Sequence, residues 1–188
     1  MRNSSTIYTY WIPVIFLAGI LFSCVNDLDT IQKITYDPKA PSETSTNLEV
    51  LYTDSGYTRI KIFAKIAETY TSPEHVTKFK DGVQVEFFSE KGEIISKLTA
   101  LYGEVNFKSG LITVRDSVIL RNLKKKQTLE TEQLFYNQTN DTIFTPNYVI
   151  CKREGKGVIG RGHGLKTTPF FNYAEILAPE GKVDFSDD

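Results

Sequence analysis

The sequence predicts an all-β domain of antiparallel strands, and three observations carry this prediction. Short strand-like runs separated by turn residues recur at even spacing along the chain. Apolar and polar residues alternate within several of these runs, most clearly in Val83–Phe87 and Ile112–Val114. The chain also contains 12 Phe and 10 Tyr, which favour strands over helices. One face of the predicted sheet is therefore apolar, and we expect it to cover a core.

The predicted strands, in chain order, are Thr58–Ile66, Gly82–Ser89, Glu93–Thr99, Gly103–Phe107, Leu111–Arg115, Ser117–Asn122, Thr128–Phe135, Asp141–Phe144, Tyr148–Lys152 and Gly157–Gly162. A last short run around Gly181–Phe185 is predicted as the final strand. Since no later segment could cover this run, we expect it to form an open sheet edge.

The first 23 residues have the features of a secretion signal, with a basic start at Arg2 and a short apolar run over Trp11–Phe22. This run falls short of the roughly 20 residues that span a bilayer. The sequence Leu21–Cys24 resembles the lipobox of bacterial lipoproteins, which implies that Cys24 is acylated and becomes the new N-terminus. An uncleaved anchor helix ending in an ordinary cysteine is the alternative.

The rest of the chain is predicted to form a tether, one domain and a short tail. Residues 24–47 contain Pro38, Pro41 and a Ser/Thr/Asn cluster, which indicate a flexible tether after the lipidated N-terminus. Apolar alternation starts near Leu48, so the domain is expected over residues 48–185, followed by the tail 186–188.

A weak internal repeat runs through the predicted domain. The triplets Asp81-Gly82-Val83, Asp116-Ser117-Val118, Asn147-Tyr148-Val149 and Gly181-Lys182-Val183 recur at similar intervals. Stacked units of this kind would bury a continuous apolar strip and leave end strands open to a further unit. Coincidence among short strands is the alternative.

The segment Asn106–Val118 resembles the repeat of OstA-like domains, because it combines a polar-aromatic pair, a glycine and alternating aliphatic residues ending in Asp-x-Val. Together with a single domain behind an N-terminal anchor, it makes the chain most similar to the LptC family. The resemblance covers about residues 48–185. It implies a twisted, partly open antiparallel β-jellyroll with an elongated apolar groove.

The resemblance also implies a function in lipopolysaccharide export without enzymatic activity or a cofactor. The expected partners are lipopolysaccharide, an ABC-type exporter in the inner membrane and an OstA-like periplasmic bridge protein. The groove would hold the acyl chains of lipid A. Combining the resemblance with the alternation of apolar residues, the candidate groove residues are Ile62, Val85, Leu98, Val114, Val118, Leu120, Leu134 and Val149.

Two alternatives concern location and role. The resemblance implies a lipid anchor on the periplasmic face of the inner membrane, whereas Val25 directly after the cysteine follows the enteric rule for the outer membrane. The alternative function is an envelope scaffold that joins a complex by strand addition without binding lipid. A relay would need a hollow interior, whereas a scaffold would pack its core to normal density.

Two segments are candidates for partner contact. Gly157–Lys166 resembles the glycine-bearing segment near the end of LptC domains, and the match places Gly164 and Leu165 at its Gly-Leu pair; bends in a strand are the alternative role of these glycines. In the final predicted strand, the candidates are Lys182, Val183 and Asp184. Asp184 and the acidic tail could instead protect this edge against pairing.

Composition and motifs argue against other functions. A net charge of −1 argues against a nucleic-acid partner, and His75 and His163 lack the spacing of a zinc site. No Gly-x-Ser-x-Gly motif supports nucleophilic catalysis. Cys151 lies beside apolar residues and is expected to be a small, inert hydrophobe. The basic run Arg121–Lys126 sits at a predicted hairpin turn, where it could attract lipid A phosphates or simply be solvated.

Overall fold

The computed structural model describes residues 40–185. The predicted signal over residues 1–23, the lipidation site Cys24, residues 24–39 of the tether and the tail over residues 186–188 lie outside the described residues. These assignments stay predictions.

Ten strands make up the sheet formed by the described residues, and every pairing between them is antiparallel. The strands are β1 Glu43–Asp54, β2 Tyr57–Tyr70, β3 Val76–Phe88, β4 Ile94–Ala100, β5 Tyr102–Asn106, β6 Leu111–Asn122, β7 Gln127–Asn137, β8 Thr142–Arg153, β9 Gly157–Thr167 and β10 Ala174–Pro179. Their order is β1-β2-β3-β4-β6-β7-β8-β9-β10, and β5 continues the line of β4 between β3 and β6. This confirms the all-β antiparallel class, and the open, folded sheet agrees with a twisted jellyroll.

Four details differ from the sequence prediction. Strand β1 is absent from the predicted strands, and its first residues, 43–47, belong to the segment predicted as a tether. Strands β6 and β8 each join two predicted runs, and β10 was not predicted. The run Gly181–Phe185 is not a strand, so the prediction of a final strand there was wrong. It instead runs beside β9, where the Asp184 amide donates to the Ile159 carbonyl oxygen at 2.7 Å.

Bends in successive strands line up across the sheet and form a feature that we call the crease. Leu101 separates β4 from β5 and is hydrogen-bonded to the strands on either side. Its carbonyl oxygen accepts from the Gly82 amide of β3 at 3.0 Å, and its amide donates to the Asp116 carbonyl oxygen of β6 at 2.9 Å. The β2–β3, β6–β7, β7–β8 and β8–β9 pairs each shift register at the same level of the sheet. The crease consists of Asn47, Lys65, Asp81–Gly82, Leu101, Asp116–Ser117, Glu132, Pro146–Asn147, Gly164 and Leu177.

Left-handed backbone makes the bends. Asn47, Asp81, Asp116 and Ser117 have φ values of 52°, 60°, 67° and 56°, and short polar side chains tolerate this conformation better than β-branched ones. Extra residues at such points bend a strand and re-aim the side chains that follow. The first three triplets of the internal repeat therefore coincide with the crease.

The crease divides the sheet into two half-sheets. Half-sheet A contains the strand segments next to the β1–β2, β3–β4, β6–β7 and β8–β9 turns, and half-sheet B contains the segments on the other side of the crease. The two pack against each other: the rings of Phe87 in A and Tyr136 in B lie 5.4 Å apart with an edge-to-face geometry. The core lies between them and consists of apolar residues from both half-sheets.

Candidate functional site

All the candidate groove residues lie in the core between the half-sheets, and each is at most 4% exposed. Half-sheet A contributes Ile62, Val85, Leu98, Val118, Leu120 and Val149, and half-sheet B contributes Val114 and Leu134. The structure therefore brings these residues together on the two facing apolar surfaces.

The interior is filled by its own side chains. The cavity between Val85, Leu98, Val114 and Leu134 has a volume of only about 10 Å³, which is the space that one water molecule needs. The expectation of an open, elongated cavity is therefore not met in this state of the protein. An acyl chain could enter only if the two half-sheets moved apart.

A cleft of about 360 Å³ marks where the half-sheets meet without strand pairing, and we call it the seam. It lies between the end of the β1–β2 hairpin, with Tyr52 and Arg59, and the β7–β8 turn, with Tyr136 and Asp141. The Tyr136 hydroxyl donates to the Asp141 carboxylate at 2.8 Å. Burial, followed by this hydrogen bond, raises the pKa of Tyr136, and burial also raises the pKa of Tyr52. Both phenols are therefore neutral at the rim of the apolar interior.

The loop between β9 and β10 closes another part of the interior. Phe171 is 7% exposed and packs into the core with a φ of 53°. The Ser96 hydroxyl donates to the Pro169 carbonyl oxygen at 2.5 Å, and the Thr167 hydroxyl donates to the Tyr173 carbonyl oxygen at 2.6 Å. The first of these bonds holds the loop of half-sheet B against β4 of half-sheet A, and the second joins the two ends of the loop.

The candidate contact residues on β9 have structural roles. Gly164 lies on the crease with a φ of 74°, and Leu165 is 2% exposed in the core. The side chain of Leu165 is thus inaccessible to a partner in this structure, and Gly164 matches the alternative of a glycine that permits a bend. Their role in partner contact stays a prediction.

The C-terminal candidates lie beside the first residues of β9. A Cβ on Gly160 would lie 3.1 Å from Val183 Cγ1, so Val183 covers this glycine. Lys182 is exposed and Asp184 is half-buried. Within residues 40–185 the sheet ends at β1 on one side and at β10 on the other, because each of these strands pairs with a single neighbour. The C-terminal edge strand is therefore β10, seven residues or so ahead of the one predicted.

Sequence reasoning missed the residues of the seam. Tyr52, Arg59, Tyr136 and Asp141 come from three strands and a turn that are distant in sequence, and no motif links them. It also missed Arg153, which the structure places near the basic β6–β7 turn. The residues of the seam, and Arg153 with the β6–β7 turn, come together only in the folded structure.

The described residues show few features of a catalytic centre. His75 stacks on Phe107 at 4.6 Å and His163 packs against Tyr148 at 5.1 Å. Cys151 is 4% exposed and burial raises its pKa to about 12, so the thiol is protonated and unreactive. Over residues 40–185 no group of His, Cys, Asp and Glu could hold a metal ion. No helix in this part of the chain is long and apolar enough to cross a membrane.

Comparison with known proteins identifies the family. The model of the family described as "Lipopolysaccharide-assembly, LptC-related" matches residues 12–168. The chain belongs to the LptC-related family. Membership in the LptC-related family implies a role in lipopolysaccharide assembly and transport, as a transport component of the cell envelope, and the family is not known as enzymatic. No curated protein matched the chain.

Proposed function

We propose that the chain is a membrane-anchored periplasmic component of the lipopolysaccharide export machinery, which binds the acyl chains of lipid A between its half-sheets. It receives the lipid from the ABC-type exporter and passes it to an OstA-like bridge protein. Acylation of Cys24 holds the protein on the periplasmic face of the inner membrane. The observation that carries the proposal is the extended apolar contact between two half-sheets in a chain of the LptC-related family.

The crease supports this function mechanically. Strand pairing runs continuously through each half-sheet, so a change of angle at the crease separates the two apolar faces and preserves most ladder hydrogen bonds. Each methylene of an acyl chain that then enters contributes about 0.8 kcal/mol. The acyl chains would thereby replace the contacts that the half-sheets make with each other in the closed state.

A second candidate function is a scaffold that joins an envelope complex by strand addition and binds no lipid. The filled interior favours it, since a cavity of about 10 Å³ shows no space held ready for an acyl chain. Both functions use the open edges β1 and β10, so only lipid binding separates them.

Photocrosslinking in cells tests lipid binding. The photoreactive residue p-benzoylphenylalanine replaces Tyr136, which packs against the core at the seam. The matched control is the same replacement of Tyr102, whose ring lies under the guanidinium of Arg115, 4.1 Å away, on the outer face. We expect crosslinks to lipopolysaccharide from position 136 and not from position 102. Equal crosslinking at both positions, or none at position 136 in a folded protein, argues for the scaffold.

A second crosslinking experiment tests which edge contacts the bridge protein. Leu177 in β10 is 63% exposed and Leu51 in β1 is 54% exposed, so both accept a probe without disturbing the core. Probes at Leu177, Lys182 and Asp184 are expected to capture the OstA-like protein. Capture from Leu51 alone would mean that the bridge is attached to β1.

The anchor is tested by replacing Cys24 with Ala. We expect an unacylated protein that no longer partitions with membranes as a lipoprotein does. Normal acylation of the variant would place the anchor elsewhere.

A further inference from the structure

A cleft of about 630 Å³ lies where the β6–β7 turn, the β8–β9 turn and the β9–β10 loop meet, and we call it the basic cleft. Its lining residues are Ile95, Asn122, Lys124, Lys125, Arg153, Lys156, Phe170 and Asn172. The cleft is separate from the seam, since the two share no lining residue.

Charge is the first feature that points to a ligand. Four basic side chains line the basic cleft, namely Lys124 and Lys125 in the β6–β7 turn, Arg153 at the end of β8 and Lys156 in the β8–β9 turn, and none of its described lining residues is acidic. A cleft lined by charges of one sign concentrates oppositely charged ligands, and multivalent ones most of all. Such an arrangement therefore favours a ligand with more than one negative charge.

Asn122 is the second, independent feature. This residue is 2% exposed, and its side-chain oxygen accepts from the Lys125 amide at 2.7 Å, which shapes the turn that carries the lysines. Its Nδ2 atom is buried without a hydrogen-bond partner in the described structure. Buried donors are nearly always paired, so an acceptor that reaches the basic cleft would satisfy it.

Phosphate has the chemistry that both features require. It presents several strong acceptor oxygens and a double negative charge, and Arg and Lys are its usual protein ligands. The apolar part of the basic cleft adds a further constraint. Ile95 and Phe170 line it, and their chain neighbours Ser96 and Phe171 are buried in the contact between the half-sheets. The basic cleft thus adjoins the apolar interior.

We propose that the basic cleft binds a phosphate group in the headgroup of the lipid whose acyl chains enter the interior. The lipid part of this inference rests on the proposed function. In this arrangement, the basic cleft and the interior hold the two chemically different ends of one amphiphile. The headgroup phosphate then sets the position of the lipid along the half-sheets.

Charge neutralisation in the full chain tests the proposal. The variant Lys124→Gln/Lys125→Gln/Lys156→Gln removes three charges at the basic cleft. The control variant Lys65→Gln/Lys108→Gln/Lys166→Gln removes three charges at exposed positions that do not line it. Binding is measured with lipid A carrying both phosphates, with the same lipid lacking them, and with inorganic phosphate. We expect the cleft variant to bind phosphorylated lipid A about tenfold more weakly, and the control variant to bind it normally.

The outcomes separate this proposal from the proposed function. If the native protein binds both lipids equally and the cleft variant loses nothing, the phosphate site is wrong and lipid binding stands. If neither lipid binds but inorganic phosphate does, and only the cleft variant loses it, the anion site stands without the lipid relay. Displacement of phosphate by a polyglutamate peptide at lower concentration than by phosphorylated lipid A would overturn the proposal in favour of an acidic protein segment.

Discussion

Gly164 and Leu177 face each other where the crease reaches the C-terminal edge of the sheet: a Cβ on Gly164 would lie 3.0 Å from Leu177 Cδ1 and 3.1 Å from Leu177 Cβ. The φ of Gly164 is 74°, a backbone conformation that residues other than glycine rarely adopt. Two separate effects therefore oppose a side chain at this position, and they are distinguishable by mutation.

Gly164→Ala is expected to lower the free energy of unfolding by about 1–3 kcal/mol, because both the left-handed backbone and the Leu177 contact resist the new methyl group. Gly155→Ala is the matched control, since its φ is 79° and no heavy atom lies within 4 Å of the added Cβ. Urea denaturation measures both. The excess cost at Gly164 should disappear in a Leu177→Gly background, which removes the Cδ1, Cγ and Cβ contacts together; an excess that persists there would mean that Leu177 is not its source.

Gly162→Ala is expected to detach β10 from β9. A Cβ on Gly162 would overlap the Ala178 carbonyl oxygen and lie 2.8 Å from Pro179 Cα, so rigid backbone would have to move. Hydrogen exchange of the Glu180 amide, which donates to Arg161 at 2.8 Å, should become fast. Gly157→Ala is the control on the same strand, because its added Cβ meets nothing within 4 Å. Unchanged protection in Gly162→Ala would contradict the close approach of the two strands.

Leu120→Ala is expected to destabilise the domain by about 2–5 kcal/mol, as for other fully buried leucines. Leu120 is 0% exposed, whereas Leu123 in the following turn is 46% exposed. Leu123→Ala should therefore change the free energy of unfolding by less than about 1 kcal/mol. Equal losses in the two variants would show that the inner face of β6 is not packed as described.

Cys151 is expected to resist thiol reagents until the protein unfolds. In a Cys24→Ser variant it is the remaining cysteine of two, so the reaction with a chromogenic disulfide at pH 8 reports on it alone. Burial raises its pKa from 9.0 to about 12 in the folded protein. The neutral thiol is therefore favoured by folding, and this contribution to stability is complete below pH 9 and falls as the pH rises from there towards 12. Rapid labelling of the native variant at pH 8 would contradict this environment.

Much of the fold follows from local patterns. Alternation in Val83–Phe87 and Ile112–Val114 places the same side chains inward that the structure buries. The pattern also selected groove candidates that are all buried, because period-two alternation determines which face of a strand is covered. The alternation says less about the order in which the strands pair. That order comes from the turns, which place most strands next to their neighbours in sequence.

Other features depend on long-range packing. Asp116–Ser117 interrupts alternation and looks like a turn between two strands, although neighbours on both sides keep β6 continuous as a bulge. Strand β10 lacks alternation and ends at Pro179, so only its pairing with β9 makes it a strand. Gly181–Lys182–Val183 repeats the earlier triplets in sequence but does not form a strand in the structure. The filled interior also escaped prediction, because alternation indicates which residues face inward and not how closely opposite faces meet.

The crease reaches both open edges, at Asn47 in β1 and at Leu177 in β10, and this limits which chains can pair with them. A straight strand laid along β1 would match the backbone groups of one half-sheet and diverge from those of the other. A strand that bends at the same height satisfies both. Geometry therefore discriminates against unrelated extended peptides at an exposed twelve-residue edge, the kind of edge that otherwise promotes aggregation. The bend that shapes the interior therefore also restricts pairing at the sheet edges to chains that bend at the same position.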